Sequence, residues 1–165
     1  MTLRPTGHLL RTLSGRDLVL TRTFRAPIED VWASVTESER TARWFASWTG
    51  DAKPGATIRY QMLFEEGDPE EDMTILTCDR PHHLEVSTVD DYGTWHLDVR
   101  LEETDGTTTL TFTHHLDDTV DASSVGPGWE YYLDRLVSSR DGSDAPTFEP
   151  YLELQAAYAA MAAAI

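Results

Sequence analysis

At 165 residues and 18.6 kDa the chain has the length of one domain, and a domain of this size hides roughly two-thirds of the surface its unfolded chain exposes. Hydrophobic residues at 40% and charged residues at 25% describe a globular chain and exclude the disordered classes. The 29 acidic residues against 13 basic ones give a formal charge of -16, which repels phosphate backbones and anionic lipid and argues against nucleic acid and membrane surfaces as partners.

A lone cysteine, Cys78, excludes an intramolecular disulfide framework and a thiol-rich zinc site, and fits a reducing cytoplasm. Residues 1–15 hold no apolar run of signal-peptide length. The alanine-rich segment Ala156–Ile165 is about half of what a membrane-spanning helix needs, so no membrane insertion is expected.

In chain order, residues 8–24 read as two strands around a turn at Ser14-Gly15-Arg16-Asp17. Pro27 suits the first turn of a helix, where its missing N–H loses nothing, and Ile28, Val31, Trp32 and Val35 follow at helical spacing. Thr36 and Glu39 have the form of a capping box that restarts a second short helix, so two short helices are expected over 27–43. Period-two alternation returns at Ile58, Tyr60, Met62 and Phe64, opening an antiparallel sheet over 56–116. Residues 65–72, with six carboxylates, a glycine and a proline, read as a solvated hairpin tip; their spacing does not match a calcium-binding loop. Strands follow at 73–78 and 84–89, with Arg80-Pro81 between them and a turn at 90–93. Trp95, Leu97, Val99 and Leu101, then Leu110, Phe112, His114 and Leu116, form two alternating strands around Thr104-Asp105-Gly106. Trp129, Tyr132, Leu133, Leu136 and Val137 give a long helix over 126–140. Tyr151, Leu154, Tyr158, Met161 and Ile165 give an extension helix over 147–165. The linker between these helices is too short to mark a boundary, so 1–165 reads as one α+β domain.

The stretches LTRTFRAPIEDVWASVTESERTARWF (20–45), CDRPHHLEV (78–86), GTWHLDVRLEETDGTTTLTFTHH (93–115) and GPGWEYYLDRL (126–136) resemble, in the same order, one family. It is the Hsp90-ATPase-activator-homologue-like branch of the START/Bet v 1-like (SRPBCC) superfamily. The resemblance spans residues 17–160 and implies a helix-grip fold, in which a curved antiparallel sheet wraps a long carboxyl-terminal helix over a central cavity, often one for an apolar small molecule. His82 departs from it, standing where many relatives carry a second proline, and bears only on a turn. The same fold hosts lipid carriers, hormone receptors, cyclases and co-chaperone domains, so activity has to be argued from the site.

Strand parity and helical spacing would line the implied cavity with Tyr60, Met62, Trp95, Leu97, Phe112, Trp129, Tyr132, Leu133 and Leu136, with Trp44, Phe45 and Trp48 at its rim. The same aromatics suit an ordinary filled core. His114 points inward with Leu110 and Phe112. It and the Tyr132 hydroxyl are the candidate catalytic groups, although a hydrogen-bonded core or rim histidine is the simpler reading of the pattern and no catalytic residue is assigned. His96 and His115 point the other way, so His114 and His115 cannot present both rings to one ion. His82 and His83 show no third ligand, so neither a metal nor a cofactor is expected. No GxSxG, phosphate loop or GxGxxG is present. The expected function is binding of an apolar or aromatic molecule, lipid-like or polyketide-like. The alternatives are a cyclase or dehydratase using His114 and Tyr132, and a co-chaperone-like interaction module with an acidic surface. A monomer or a homodimer suits each of them.

Overall fold

In the computed structural model, which describes residues 2–91 and 93–165, His8–Thr12 (β1) and Gly15–Phe24 (β2) form the opening antiparallel hairpin. The turn comes earlier than the expected 14–17, because Thr12 already pairs with Gly15. A Cβ on Gly15 would lie 2.2 Å from the carbonyl oxygen of Leu116, so only glycine lets β2 begin this close to its neighbouring strand.

After Pro27 the chain forms α1 (Ile28–Thr36) and α2 (Ser38–Thr41). The capping box is not made. The Thr36 hydroxyl donates back to the carbonyl of Trp32 within α1 at 2.7 Å, and the residue ahead of α2 is Glu37, which makes no side-chain cap. A strand without a periodic signal follows, Ala46–Thr49 (β3), held to α2 by the Trp48 amide donating to the Ser38 hydroxyl at 2.8 Å. Thr57–Met62 (β4), Glu70–Asp79 (β5), His83–Asp90 (β6), Gly93–Thr104 (β7) and Thr107–Leu116 (β8) complete the strands. β5 starts three residues before the expected 73, since Gln61 and Glu70 already pair and confine the acidic tip to 65–69. Asp90 pairs with Gly93 at the expected turn, whose Tyr92 lies outside the described residues.

All eight strands lie in one antiparallel sheet in the order β1-β2-β8-β7-β6-β5-β4-β3. The long helix α3, Ala122–Asp141, packs beneath it, and the fold is a helix grip. The helix starts four residues before the expected 126. Asp121 accepts the Ser123 amide and satisfies a free N–H of the first turn, so Gly126 and Pro127 fall in the helix's second turn instead of at its start. At the other end Gly142, with φ of 77°, takes the left-handed conformation that stops a helix. The extension is a 3-10 turn at Glu149–Leu154 followed by α4, Gln155–Ala163, which packs on α3 and β1. Tyr151, Leu154 and Tyr158 are buried as expected, whereas Ile165, expected on the buried stripe, lies beyond the helix end and is 41% exposed. Among the described residues no helix is long and apolar enough to cross a membrane.

Candidate ligand-binding cavity

A cavity of about 400 Å³ opens between the sheet, α3 and the α1–α2 pair. Sheet parity builds most of its wall: Ile58 and Tyr60 on β4, Met73 and Ile75 on β5, Leu84 and Val86 on β6, Leu97 and Val99 on β7, and Leu110 and Phe112 on β8. Trp129 and Leu133, one turn apart on α3, close it from below; Trp32, Val35, Trp44, Phe45 and Trp48 close the side. Glu37 and Arg80 mark the opening, both exposed, with Arg80 held 3.0 Å from the Glu29 carboxylate.

Most polar atoms of this wall are already used. Trp44 donates its indole N–H to the Ser34 carbonyl and Trp48 its own to the Thr36 carbonyl, each at 2.9 Å, so both rings cap the carbonyl end of α1 and turn carbon to the cavity. Trp129 donates to His114 Nδ1 at 3.0 Å. The Thr88 hydroxyl gives its hydrogen to the Asp72 carbonyl, so the Tyr60 hydroxyl, 3.3 Å away, must be the donor in that pair. Thr41 donates to the Ser38 carbonyl at 3.3 Å. Cys78, also in the wall, has its thiol pKa raised by burial and then by Asp79, which keeps it protonated. Arg135 donates to the carbonyls of Trp44 and Arg43 and lies 3.5 Å over the Phe64 ring, bracing the α2–β3 segment against α3.

Of the residues expected in the cavity, Trp44, Phe45, Trp48, Tyr60, Leu97, Phe112, Trp129 and Leu133 line it. Met62, Trp95, His114, Tyr132 and Leu136 do not. Met62 is half-buried at the end of β4, and Leu136 is fully buried under the sheet. Trp95 stacks on His114 at 5.0 Å between centroids, behind Trp129. His114 is 1% exposed, and burial, followed by the nearby His115 and His96, lowers its pKa to about 4. Because Nδ1 accepts from Trp129, the neutral ring carries its proton on Nε2 and has no free basic nitrogen facing a ligand. The Tyr132 hydroxyl is buried without a hydrogen bond of normal geometry, and burial, then the Glu65 carboxyl, raises its pKa. Val99, Leu110 and Ile58 were within reach of the same parity that selected Leu97, Phe112 and Tyr60. Ala46 and Ala52 carry no comparable signal.

The profile of a family described as Activator of Hsp90 ATPase homolog 1-like protein matches residues 25–139. No curated protein matches the sequence. Among solved structures, the crystal structure of CalU16 from Micromonospora echinospora is 26% identical, with a TM-score of 0.76 over 96% of each chain. A protein from Bordetella parapertussis, solved by NMR, is 24% identical with a TM-score of 0.70, over 92% of this chain and 87% of that one. A conserved protein of unknown function from Enterococcus faecalis is 18% identical with a TM-score of 0.74, over 96% of this chain and 91% of that one.

Proposed function

The chain belongs to the Activator of Hsp90 ATPase homolog 1-like family, and we propose that it binds an apolar or aromatic small molecule, lipid-like or polyketide-like, in the cavity beneath its sheet. One observation carries this reading: a cavity of about 400 Å³ in whose wall the indoles of Trp44, Trp48 and Trp129 and the hydroxyl of Tyr60 already have partners within the protein. Such a wall offers a ligand burial of carbon surface and asks for few hydrogen bonds in return. Polar parts of the ligand would face the opening, where Glu37 and Arg80 stand.

The cyclase or dehydratase alternative needs an ionisable group aimed at the ligand. His114 would have to release Trp129 and turn its ring toward the cavity before it could serve as a base, and this favours binding over catalysis. The unpaired Cys78 thiol fits a reducing compartment, and the cytoplasm is the proposed location.

Trp44, Trp48 and Trp129 line the cavity, so their emission reports its occupancy. Titration with fatty acids, flavonoids and polycyclic aromatic ketones is expected to give a saturable change with at least one class. Native mass spectrometry of freshly purified protein is expected to show a co-purified molecule of the same character. A flat response to all three classes, with no co-purified molecule, would remove the binding function.

A further inference from the structure

The face of the sheet turned away from the cavity carries a row of polar side chains that no reading of the cavity uses. On β8, His115 lies directly opposite His96 of β7 on one side and Asp17 of β2 on the other. On β6, Glu85 is diagonal to His96 and directly opposite Thr77 of β5. Five neighbouring strands thus place Thr77, Glu85, His96, His115 and Asp17 side by side. The ligating atoms of Glu85, His96 and His115 all lie within 4.8 Å of one another, and the two imidazole rings are 4.4 Å apart between centroids.

We propose that Glu85, His96 and His115 form a binding site for a divalent transition-metal ion of the zinc type, with a fourth position open to water. Two imidazole nitrogens and one carboxylate oxygen are the donor set such an ion takes, at about 2.0–2.2 Å each. A tetrahedral arrangement needs ligand atoms about 3.3 Å apart, which small side-chain rotations supply from the present spacing.

Two outer contacts fix the ligands as metal sites require. His115 Nδ1 is 2.7 Å from Asp17 Oδ1; a carboxylate only accepts, so Nδ1 carries the proton and Nε2 is left to ligate. The Thr77 hydroxyl donates to Glu85 Oε1 at 3.1 Å, leaving Oε2 to point at His96 Nε2, 2.5 Å away. The ion would take the place of the proton between those two atoms, and neutral His96 would carry its proton on Nδ1 instead.

A second trio, His83, Glu85 and Asp98, is equally compact but less suited. It has one imidazole, already 2.8 Å from Asp98, and the Arg100 guanidinium stands 3.4 Å from the same carboxylate, where it repels a cation.

The test titrates the full chain with zinc against a chromogenic chelator, with excess magnesium and calcium present. One zinc per chain is expected, undisturbed by the hard cations, and cobalt in its place should show visible d–d bands. His96→Ala and His115→Ala, with the glutamine variants as a second pair that keeps the surface polar, should each lower affinity beyond the roughly 10- to 100-fold loss typical of an outer-shell partner. Asp17→Asn should fall within that outer-shell range, and His83→Ala should leave affinity unchanged. No zinc binding by the unmodified chain would overturn the proposal. So would binding that survives all the His96 and His115 variants, binding that calcium displaces, as an ion on the acidic 65–72 tip would show, or binding lost in His83→Ala but kept in the His115 variants.

Discussion

The space under the sheet has a solid half and a hollow half. Under β1 and β2 it is filled: α3 and α4 meet there, and the Tyr158 ring lies where a Cβ on Gly126 would approach within 2.6 Å. At its centre the Glu130 carboxylate, 3% exposed, takes hydrogen bonds from the Thr6 amide and hydroxyl, the Tyr158 hydroxyl and Arg22. Toward β3–β6 no helix fills the space, and the wall is carbon around a void. The difference lies in the covering pieces. A carboxylate can be buried where several donors converge on it, whereas in the other half α1 and α2 reach only the side of the space and leave a void between the sheet and Trp129 and Leu133 of α3.

The largest expected effect is on the solid side. Glu130→Ala removes the more buried of the two carboxylates on Arg22, which is 10% exposed and keeps Asp134 at 3.1 Å, and takes from Thr6 and the Tyr158 hydroxyl the acceptor they share in the interior. A loss of about 3–5 kcal/mol in denaturant unfolding is expected, as for other broken buried pairs. If Glu130→Ala costs no more than a surface substitution, the network does not organise this half.

Acid should strike the boundary between the halves next. His114, held neutral behind Trp129, has its pKa lowered from 6.5 to about 4 by burial, so below pH 6.5 the unfolded chain takes up a proton that the folded chain refuses. Its contribution is whole above about pH 6.5 and is lost as the pH falls to about 4, a loss of about 3 kcal/mol. Burial alone would raise the pKa of Glu130, but the bonds from Thr6, Tyr158 and Arg22 outweigh it and lower the pKa. Glu130 therefore destabilises in the same direction below its unfolded value. Unfolding followed from pH 7 to pH 4.5 should show the slope, and His114→Leu should flatten it. An unchanged slope in that variant would assign the acid sensitivity elsewhere.

A smaller effect tests how tightly the solid half is filled. Gly126→Ala drives a methyl group into the Tyr158 ring and should cost about 1–3 kcal/mol. The cost should vanish when Tyr158→Ala is added, since the two side chains then no longer meet; an additive pair would show that the strain has another source.

The inward faces were legible in the sequence, and the division of the space beneath them into a filled and a hollow half was not. Period-two alternation places His114, Leu97 and Phe112 on the inner face, and the structure has them there, because a one-residue slip would turn every apolar side chain of β7 and β8 outward. The start of α3 was obscured because Gly126 and Pro127 look like helix breakers. Gly126 is there to admit Tyr158, a contact between segments 32 residues apart that no local rule reports. β3 is four residues long and owes its place to the Ser38 contact with Trp48. Trp95 and Tyr132 share the inner face with the cavity residues, yet other aromatic rings stand between them and the void. The meeting of Glu85 with His96 and His115 depends on strand register, which alternation within each strand leaves free.

The smallest expected effect separates the two halves most directly, because it makes one chemical change in both. Leu20, fully buried on the solid side, lies within 2.9 Å of where a Cβ on Gly7 would stand. Leu20→Phe should force its neighbours apart and cost about 1–3 kcal/mol. Leu97 is 7% exposed on the cavity wall, so the larger ring of Leu97→Phe has a void of about 400 Å³ to enter. It should bury more carbon surface at no cost in strain, and the change in stability should stay under about 1 kcal/mol. The same ring takes volume from any occupant, so affinity for an apolar probe should fall in Leu97→Phe and hold in Leu20→Phe. Denaturant melts and probe titrations on the two variants therefore read packing and binding together. Equal losses of stability would mean that both halves are filled, and the binding function would then have no space in which to work.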